Sequence, residues 1–337
     1  MSKKKKGRSG IVLITVLTVF IATMAYFLYQ EQLKPLSANS KEEIIVTIPA
    51  NATVERIGQI LEEKGIIRSA AVFYYYVRFN SDDYLKAGEY ALGPYMNVPE
   101  IVQELQNGKP ILHTFTIPEG FTIKQITQLL VNRDLVDEDR FHHALAFSPL
   151  PYDYIEETGD IYRLEGFLFP ATYRVARNIT EEELVRMLVQ RFNQEVTTEV
   201  RQRADDLGMT IKEVVTLASI IEREAVIHEE RPIISAVFHN RLHRNQRLEA
   251  CSTIQYLLDE PRERLYLQDL EIQSPYNTYR NNGLPPGPIA SPGRLSLDAA
   301  LYPADVDYLY FVAKGQGYHH FSRTFEEHNR AVARYVN

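Results

Sequence analysis

"TLASIIEREAVIHEE", residues 216–230, ends a nearly unbroken apolar run on two glutamates, Glu222 and Glu224. Burying a carboxylate is costly unless something compensates it. Thr210 and Glu213 form a T-x-x-E capping box ahead of the run, so the stretch reads as one apolar helix with acids at its C-terminal end. At about 100° per residue, Leu217, Ile221 and Glu224 share one face, and Glu222 points about 200° away from Glu224. One turn back from Glu224 stand Ile221 and Ile220; one turn back from Glu222 stand Ser219 and Ala218. The spacing therefore predicts drier surroundings for Glu224. Desolvation and the negative end of a helix dipole both favour the protonated form of a carboxyl. A carboxyl that keeps its proton near neutral pH can act as a general acid. The plain alternative is an acid paired with Arg223, Arg231 or Arg241, and spacing alone leaves Glu222 as the second candidate.

Outward from this helix, the chain is ordinary in bulk. It has 337 residues, 45% hydrophobic and 24% charged, which suits a globular protein of about two domains. The net charge of -7 gives no support to a nucleic-acid partner. The single cysteine, Cys251, can form no internal disulfide and no Cys-rich zinc site. There are 21 Tyr, 15 Phe and no Trp. Tyr offers a flat apolar face with a polar tip, useful against sugar rings, though most serve as core and rim filler.

The N-terminus is basic, "MSKKKKGRSG", and is followed by "IVLITVLTVFIATMAYFLY" (11–29), which carries no charge. As a helix that stretch is about 28 Å long, enough to cross a hydrocarbon core. The expected arrangement is a cytoplasmic basic segment (1–10), a single transmembrane helix (11–29), a polar stalk (30–43) and an extracytoplasmic remainder at the cell membrane. A cleaved signal peptide is the rival, with a shorter apolar core than this one.

A repeat follows. "IPANATVERIGQILEEKGII" (48–67) and "IPEGFTIKQITQLLVNRDLV" (117–136) share Ile, Pro, Thr, Ile, Gln and Leu at corresponding places. Each copy reads as a strand, a turn, a helix and a second short strand, with Thr53 and Thr122 as N-caps and Val54, Ile57, Ile60 and Leu61 as the first buried stripe. "MNVPEIVQELQNGKP" (96–110) is a weaker copy of the helical part. Residues 137–208 read as mostly helical, broken by "LEGFLFPATYRV" (164–175). A helix is expected near 231–243, a long ordered Pro/Gly loop at 274–293, a hairpin at 308–321 and a C-terminal helix.

Other chemistries find little. There is no H-E-x-x-H, no G-x-S-x-G and no P-loop. His319, His320 and His328 have no carboxylate or Cys at metal-ligand spacing, so neither metal nor cofactor is expected. One acid, outside the membrane, among many tyrosines, suggests glycoside cleavage.

The motifs then point to a family. "EGFLFPATY" (165–173), "LASIIEREA" (217–225), "AVFHNRL" (236–242), "STIQY" (252–256), "YNTYRNNGLPPGPIASPG" (276–293), "YLYFVA" (308–313) and "HFSRTFEEHN" (320–329) occur in order, and the chain resembles the YceG-like endolytic murein transglycosylases. Many relatives carry Asp-Pro before the Thr of the fourth motif, where this chain has Cys251-Ser252. The resemblance implies an α+β ectodomain: a small LysM-like βα module (44–110) before a catalytic domain (111–337) with a lysozyme-like helical core. It implies a lyase that cuts within peptidoglycan glycan strands, leaves 1,6-anhydromuramic ends, terminates nascent strands and works beside peptidoglycan synthases. It places the catalytic Glu in the E-x-E of the central motif. Glu224 satisfies both that pattern and the helix-face argument, with Glu222 the alternative. It also makes Asn240, Tyr256, Asn277 and Tyr279 candidates for the cleft wall. Two other readings stand beside it: a non-catalytic glycan-binding scaffold of the wall-synthesis machinery, and a hydrolytic muramidase. The latter needs a second carboxylate, for which Glu165, Asp259 and Glu260 are available.

Overall fold

The computed structural model describes residues 3–49, 51–80, 84–108, 111–177, 179–258, 260–262 and 264–336, with side chains from Ile14 onward. It is a mixed α+β chain in two compact units, Met1–Thr114 with Arg174–Asn178, and Phe115–Tyr173 with Ile179–Asn337. Asp259, a candidate second carboxylate, lies outside the described residues, as do residues 109 and 110 of the 44–110 module.

The first unit opens on α1 (Lys3–Leu33). Its stretch Ile14–Leu33 has a mean hydropathy of 1.4 and is long and apolar enough to cross a membrane. The helix runs on past Tyr29, through residues that the sequence assigns to a stalk, and ends with Leu33 in the core of this unit. Strand β1 (Ile44–Ile48) turns Val46 and Ile48 inward, as alternation requires. Next come α2 (Val54–Glu63), α3 (Ala70–Asn80), β2 (Gly88–Leu92) and α4 (Val98–Asn107). β1 and β2 pair antiparallel with Val46 opposite Tyr90. α2 and α3 approach closely at Gly58, where a Cβ would stand 3.0 Å from the Ala70 carbonyl oxygen. The result is a βααβ arrangement around Ile57, Leu61, Phe73 and Ile101. β3 (Leu112–Thr116) follows and continues into the second unit.

β4 (Thr172–Ala176), which pairs with β3, lies mostly in the Arg174–Asn178 segment of the first unit, and the second unit holds α5 (Ile123–Val131), α6 (Glu138–Phe147) and α7 (Glu181–Asn193). It continues with α8 (Thr198–Asp206), α9 (Ile211–Glu224), α10 (Arg231–His243), α11 (Cys251–Leu257) and α12 (Arg294–Leu301). The antiparallel hairpin β5 (Tyr310–Gly315) and β6 (Tyr318–Ser322) and the helix α13 (Phe325–Tyr335) close the chain. α9 starts at the Thr210–Glu213 capping box and buries Val214, Val215, Leu217, Ala218, Ile220 and Ile221. A helix apolar on all sides belongs inside, and α9 packs against α8, α10, α11 and α12. The Pro/Gly loop 274–293 is ordered by backbone bonds: Ile289 N–H donates to Ser219 Oγ at 3.0 Å and Ser291 N–H to the Phe121 carbonyl at 2.8 Å.

The repeat is real, but neither copy has the expected second strand. Each helix ends instead in a turn through a left-handed residue, Gly65 (φ 69°) and Asp134 (φ 52°). The next amide, Ile66 or Leu135, donates to the carbonyl of Leu61 or Leu130 at 2.9 and 3.1 Å. This closure drops Ile66 and Leu135 into the core, which is the burial that the sequence pattern displays as a strand.

Candidate active site

The last turn of α9 carries both glutamates, and their surroundings differ. Glu222 has a side chain only 7% exposed. Its Oε1 accepts from Arg231 Nη2 at 3.0 Å and its Oε2 from the Gly293 N–H at 2.9 Å. Arg231 is 5% exposed in its side chain; it also donates from Nε to Ser296 Oγ at 2.9 Å and touches His228 Nδ1. The acid–arginine pairing that the sequence allowed therefore falls to Glu222. It ties α9 to the start of α10 and to the loop leading into α12.

Glu224 is half-buried, and its Oε1 accepts from the Ser252 N–H at 2.9 Å, in the first turn of α11. Among the described residues no other hydrogen bond reaches its carboxylate. The expectation that Glu224 is the drier acid is thus reversed. Apolar neighbours one turn back say nothing of what packs beyond the helix end, and there Arg231 and Gly293 cover Glu222. Cys251 and Tyr279 stand on the Glu224 side, Cys251 Sγ 3.0 Å from the Tyr279 hydroxyl. Desolvation, the Cys251 neighbour and the negative charge of Glu224 push the Tyr279 phenol up, so it remains a neutral hydrogen-bonding group.

Ser252 also lines a cleft of about 430 Å³, within the range of small-ligand sites. Tyr162, Tyr256 and Tyr276 give it aromatic walls, with Tyr256 and Tyr276 ring centroids 5.3 Å apart. Lys124 and Arg223 add two cations. Glu165 lies in the wall and is 1% exposed. It accepts from the Ile123 N–H at the start of α5 (3.1 and 3.3 Å to its two oxygens) and from the Tyr256 hydroxyl at 3.3 Å. Burial pushes this carboxyl up to about 8, against the partial relief of bonds from Ile123, Tyr256 and Gly166. Gly166 has φ 81°, and any Cβ there would meet Pro288 at 2.5 Å, so the turn behind Glu165 needs glycine.

Of the residues singled out from the sequence, Glu224, Tyr256 and Tyr279 gather around α11. Tyr256 sits one turn after Ser252, so this helix joins Glu165 to Glu224. Asn240 and Asn277 do not face the cleft. The Asn240 amide donates to the carbonyls of Val306 and Tyr308, both at 2.9 Å. Asn277 is fully buried; its amide donates to Leu270 and Ile272, and its carbonyl accepts from the Tyr279 N–H at 2.9 Å. It shapes the loop that presents Tyr279. Glu260 is exposed. His319 is buried against Glu230, with Nδ1 2.8 Å from Oε2. Among the described residues no group of three His, Cys, Asp or Glu side chains is placed to hold a metal. No local pattern in the sequence marks Ser252, Tyr162, Tyr276, Lys124 and Arg223 as residues of the wall.

The fold and the site define a mixed α+β protein with one half-buried acid at a helix end, held to the wall of an aromatic cleft. The YceG-like family model matches residues 46–334, and the chain belongs to that family. It is 33% identical over 330 residues to a Bacillus subtilis protein named endolytic murein transglycosylase, covering 92% of this chain and 90% of that one. It is also 33% identical over 357 residues to a Streptococcus pneumoniae protein of the same name, covering 95% of this chain; the match spans 64% of that relative's length. A crystal structure of a YceG-like protein from Listeria monocytogenes is 36% identical and superposes with a TM-score of 0.58 over 86% of this chain and 99% of that one.

Proposed function

We propose that this protein is a membrane-anchored endolytic lytic transglycosylase of peptidoglycan, with Glu224 as its single acid and base. The carboxyl of Glu224 protonates the oxygen between N-acetylmuramic acid and N-acetylglucosamine as that bond breaks. The carboxylate then takes the proton of the muramyl 6-hydroxyl, whose oxygen closes on C1. Both proton and bond counts balance without water, and the new end is 1,6-anhydromuramic acid. The observation that carries this reading is the contrast at the end of α9: Glu224 has one backbone N–H donor and solvent access, whereas Glu222 is neutralised by Arg231.

Glu165 favours the lyase over a hydrolase that would use it as second carboxylate; Asp160, exposed, is the other carboxylate of the cleft lining. Hydrolytic glycosidases pair the acid with a second carboxylate that acts as base or nucleophile. The buried carboxyl of Glu165 is bound on two sides and pushed up to about 8, which suits it to holding α5 and α11 rather than to activating water. Tyr162, Tyr256 and Tyr276 suit sugar faces, and Lys124 and Arg223 suit the carboxylates of muramyl stem peptides. The names of the Bacillus and Streptococcus relatives agree with this substrate. The reading extends to α1 as the anchor, to the βααβ module as a LysM-like glycan holder and to the α9-centred helices as a lysozyme-like core. A tethered enzyme of this kind meets strands as synthases release them and ends their growth.

The test is mass spectrometry of products from purified glycan strands treated with the full-length protein in detergent. Internal fragments whose muramyl ends are lighter by one water than hydrolysed ends are expected. Hydrolysed ends would make it a muramidase; intact strands that nonetheless bind the protein would make it a scaffold.

A further inference from the structure

The first unit contains a second feature that the site does not use. Its helices differ in what they turn outward. α2 exposes Glu55, Arg56, Gln59, Glu62 and Glu63, and α4 exposes Glu100 and Gln103. α3 buries Phe73 and Val77 on one side and yet exposes Tyr75 (52%) and Phe79 (75%) on the other. Those two rings stack with centroids 6.2 Å apart and planes within 10°. Arg78, between them in sequence, donates to the Tyr74 hydroxyl at 3.0 Å. Polar outer faces are the rule for small soluble modules, so an aromatic one with a flanking arginine calls for a partner.

The place of α3 along α1 says which partner. The uncharged stretch of α1 ends at Tyr29, and the Glu31–Lys34 ion pair (2.5 Å) marks its return to water. Tyr29 and Leu33 both pack on the core that also holds Phe73 and Tyr76 of α3, and α1 lies against α3 directly. Residues 29–33 rise about 6 Å along the helix axis. The headgroup layer on each side of a bilayer is about 5–7 Å thick. A helix docked on these residues therefore stands at headgroup depth, where Tyr and Phe rings and Arg are at home. We propose that the Tyr75/Phe79 face of α3 is a lipid-contact surface that lies in the headgroup layer of the bilayer crossed by α1. This rests on the reading of α1 as a membrane anchor. It makes the βααβ module a foot standing on the membrane rather than a body swinging on a flexible stalk.

The chain has no tryptophan, which gives a clean test. Phe79→Trp and, separately, Tyr75→Trp put a single emitter on the face. Ile21→Trp puts one in the middle of α1, and Phe147→Trp puts one on an exposed site of the second unit (61%). Each full-length variant is reconstituted in phosphatidylglycerol/phosphatidylcholine vesicles, without brominated lipid or with lipids brominated high on the acyl chain (read for the α3 and Phe147 positions) or near its end (read for Ile21). The expected result is a blue-shifted emission that loses intensity with brominated lipid for Phe79→Trp and Tyr75→Trp, none for Phe147→Trp and loss for Ile21→Trp. Emission at both α3 positions as insensitive to bromine as Phe147→Trp, while Ile21→Trp is quenched, would overturn the proposal and leave the anchor intact. A blue shift without quenching would overturn it in favour of a protein partner. An unquenched Ile21→Trp would overturn the anchor and this proposal with it.

Discussion

The two sides of the last turn of α9 carry acids two positions apart in sequence and have opposite designs. On one side Glu222 is a closed structural joint: side chain buried, both oxygens bonded, charge matched by Arg231. On the other, Glu224 touches one backbone N–H and keeps access to solvent. If Glu224 is the functional acid, as proposed, incomplete satisfaction marks it rather than dryness. A carboxylate fully bonded and paired has no reason to exchange its proton with a substrate. One held at a single point is oriented without being neutralised.

That contrast can be broken from either side, and the largest effect belongs to the open one. Glu224→Gln keeps size and the Ser252 contact but cannot exchange a proton. Cleavage of glycan strands should fall by about 10²–10⁴ while glycan binding and the thermal melt stay near wild type. A Glu224→Gln protein that still cleaves would move the chemistry elsewhere. On the closed side, Glu222→Gln strands a buried guanidinium, and breaking such pairs costs about 3–5 kcal/mol. Urea denaturation should show that loss, and the folded fraction should retain turnover. A stable but inactive Glu222→Gln protein would exchange the two roles.

Glu165 sharpens the same distinction: it is buried and, among the described residues, its bonds come from a backbone N–H and a tyrosine rather than from an arginine. Its carboxyl lies at about 8 in the fold against 4.5 for the free group. Across that window the folded protein keeps a proton that the unfolded chain has lost. The stability contributed by the protonated group is full below 4.5 and is withdrawn as pH rises toward about 8. Relative to Glu165→Gln, wild-type stability should therefore fall across this window, as read from urea melts at several pH values. A pH-independent difference would remove the protonated Glu165 from the account. The smallest effect is expected at Tyr256→Phe, which deletes one hydrogen bond to Glu165 and should cost about 0.5–1.5 kcal/mol. In a Glu165→Gln background that cost should change, because the two groups touch.

Much of this was legible in the sequence because it is local. The Thr210–Glu213 box, the helix at 231–243 and the strand–turn–strand after residue 308 follow from caps, periodicity and turn residues, and all three are found. The repeat was legible too, but the stretch after each helix, which the pattern displays as a strand, is a left-handed turn. A buried pair of β-branched or leucine residues after a helix looks the same in sequence whether it forms a strand or is folded back by a left-handed turn. The site was half legible. Helix geometry placed Glu222 and Glu224 on different faces, but residues from 231 to 296 decided which of them is covered. Asn240 and Asn277 carry amides that fit a sugar or a backbone equally well, and only the fold shows them bonded to carbonyls. Glu165 sits in a loop whose burial is built by Ile123 and Tyr256, 42 and 91 positions away, and nothing nearby announces it.

On this account Glu224 works alone as acid and base, with no water among the reactants. Running the cleavage in water enriched in heavy oxygen tests this most directly. The account predicts 1,6-anhydro product ends with no heavy oxygen at C1, formed by wild type and by folded Glu222→Gln but not by Glu224→Gln. Heavy oxygen at C1 of the primary products would contradict it, because water would then be a reactant and a second residue would have to deliver it.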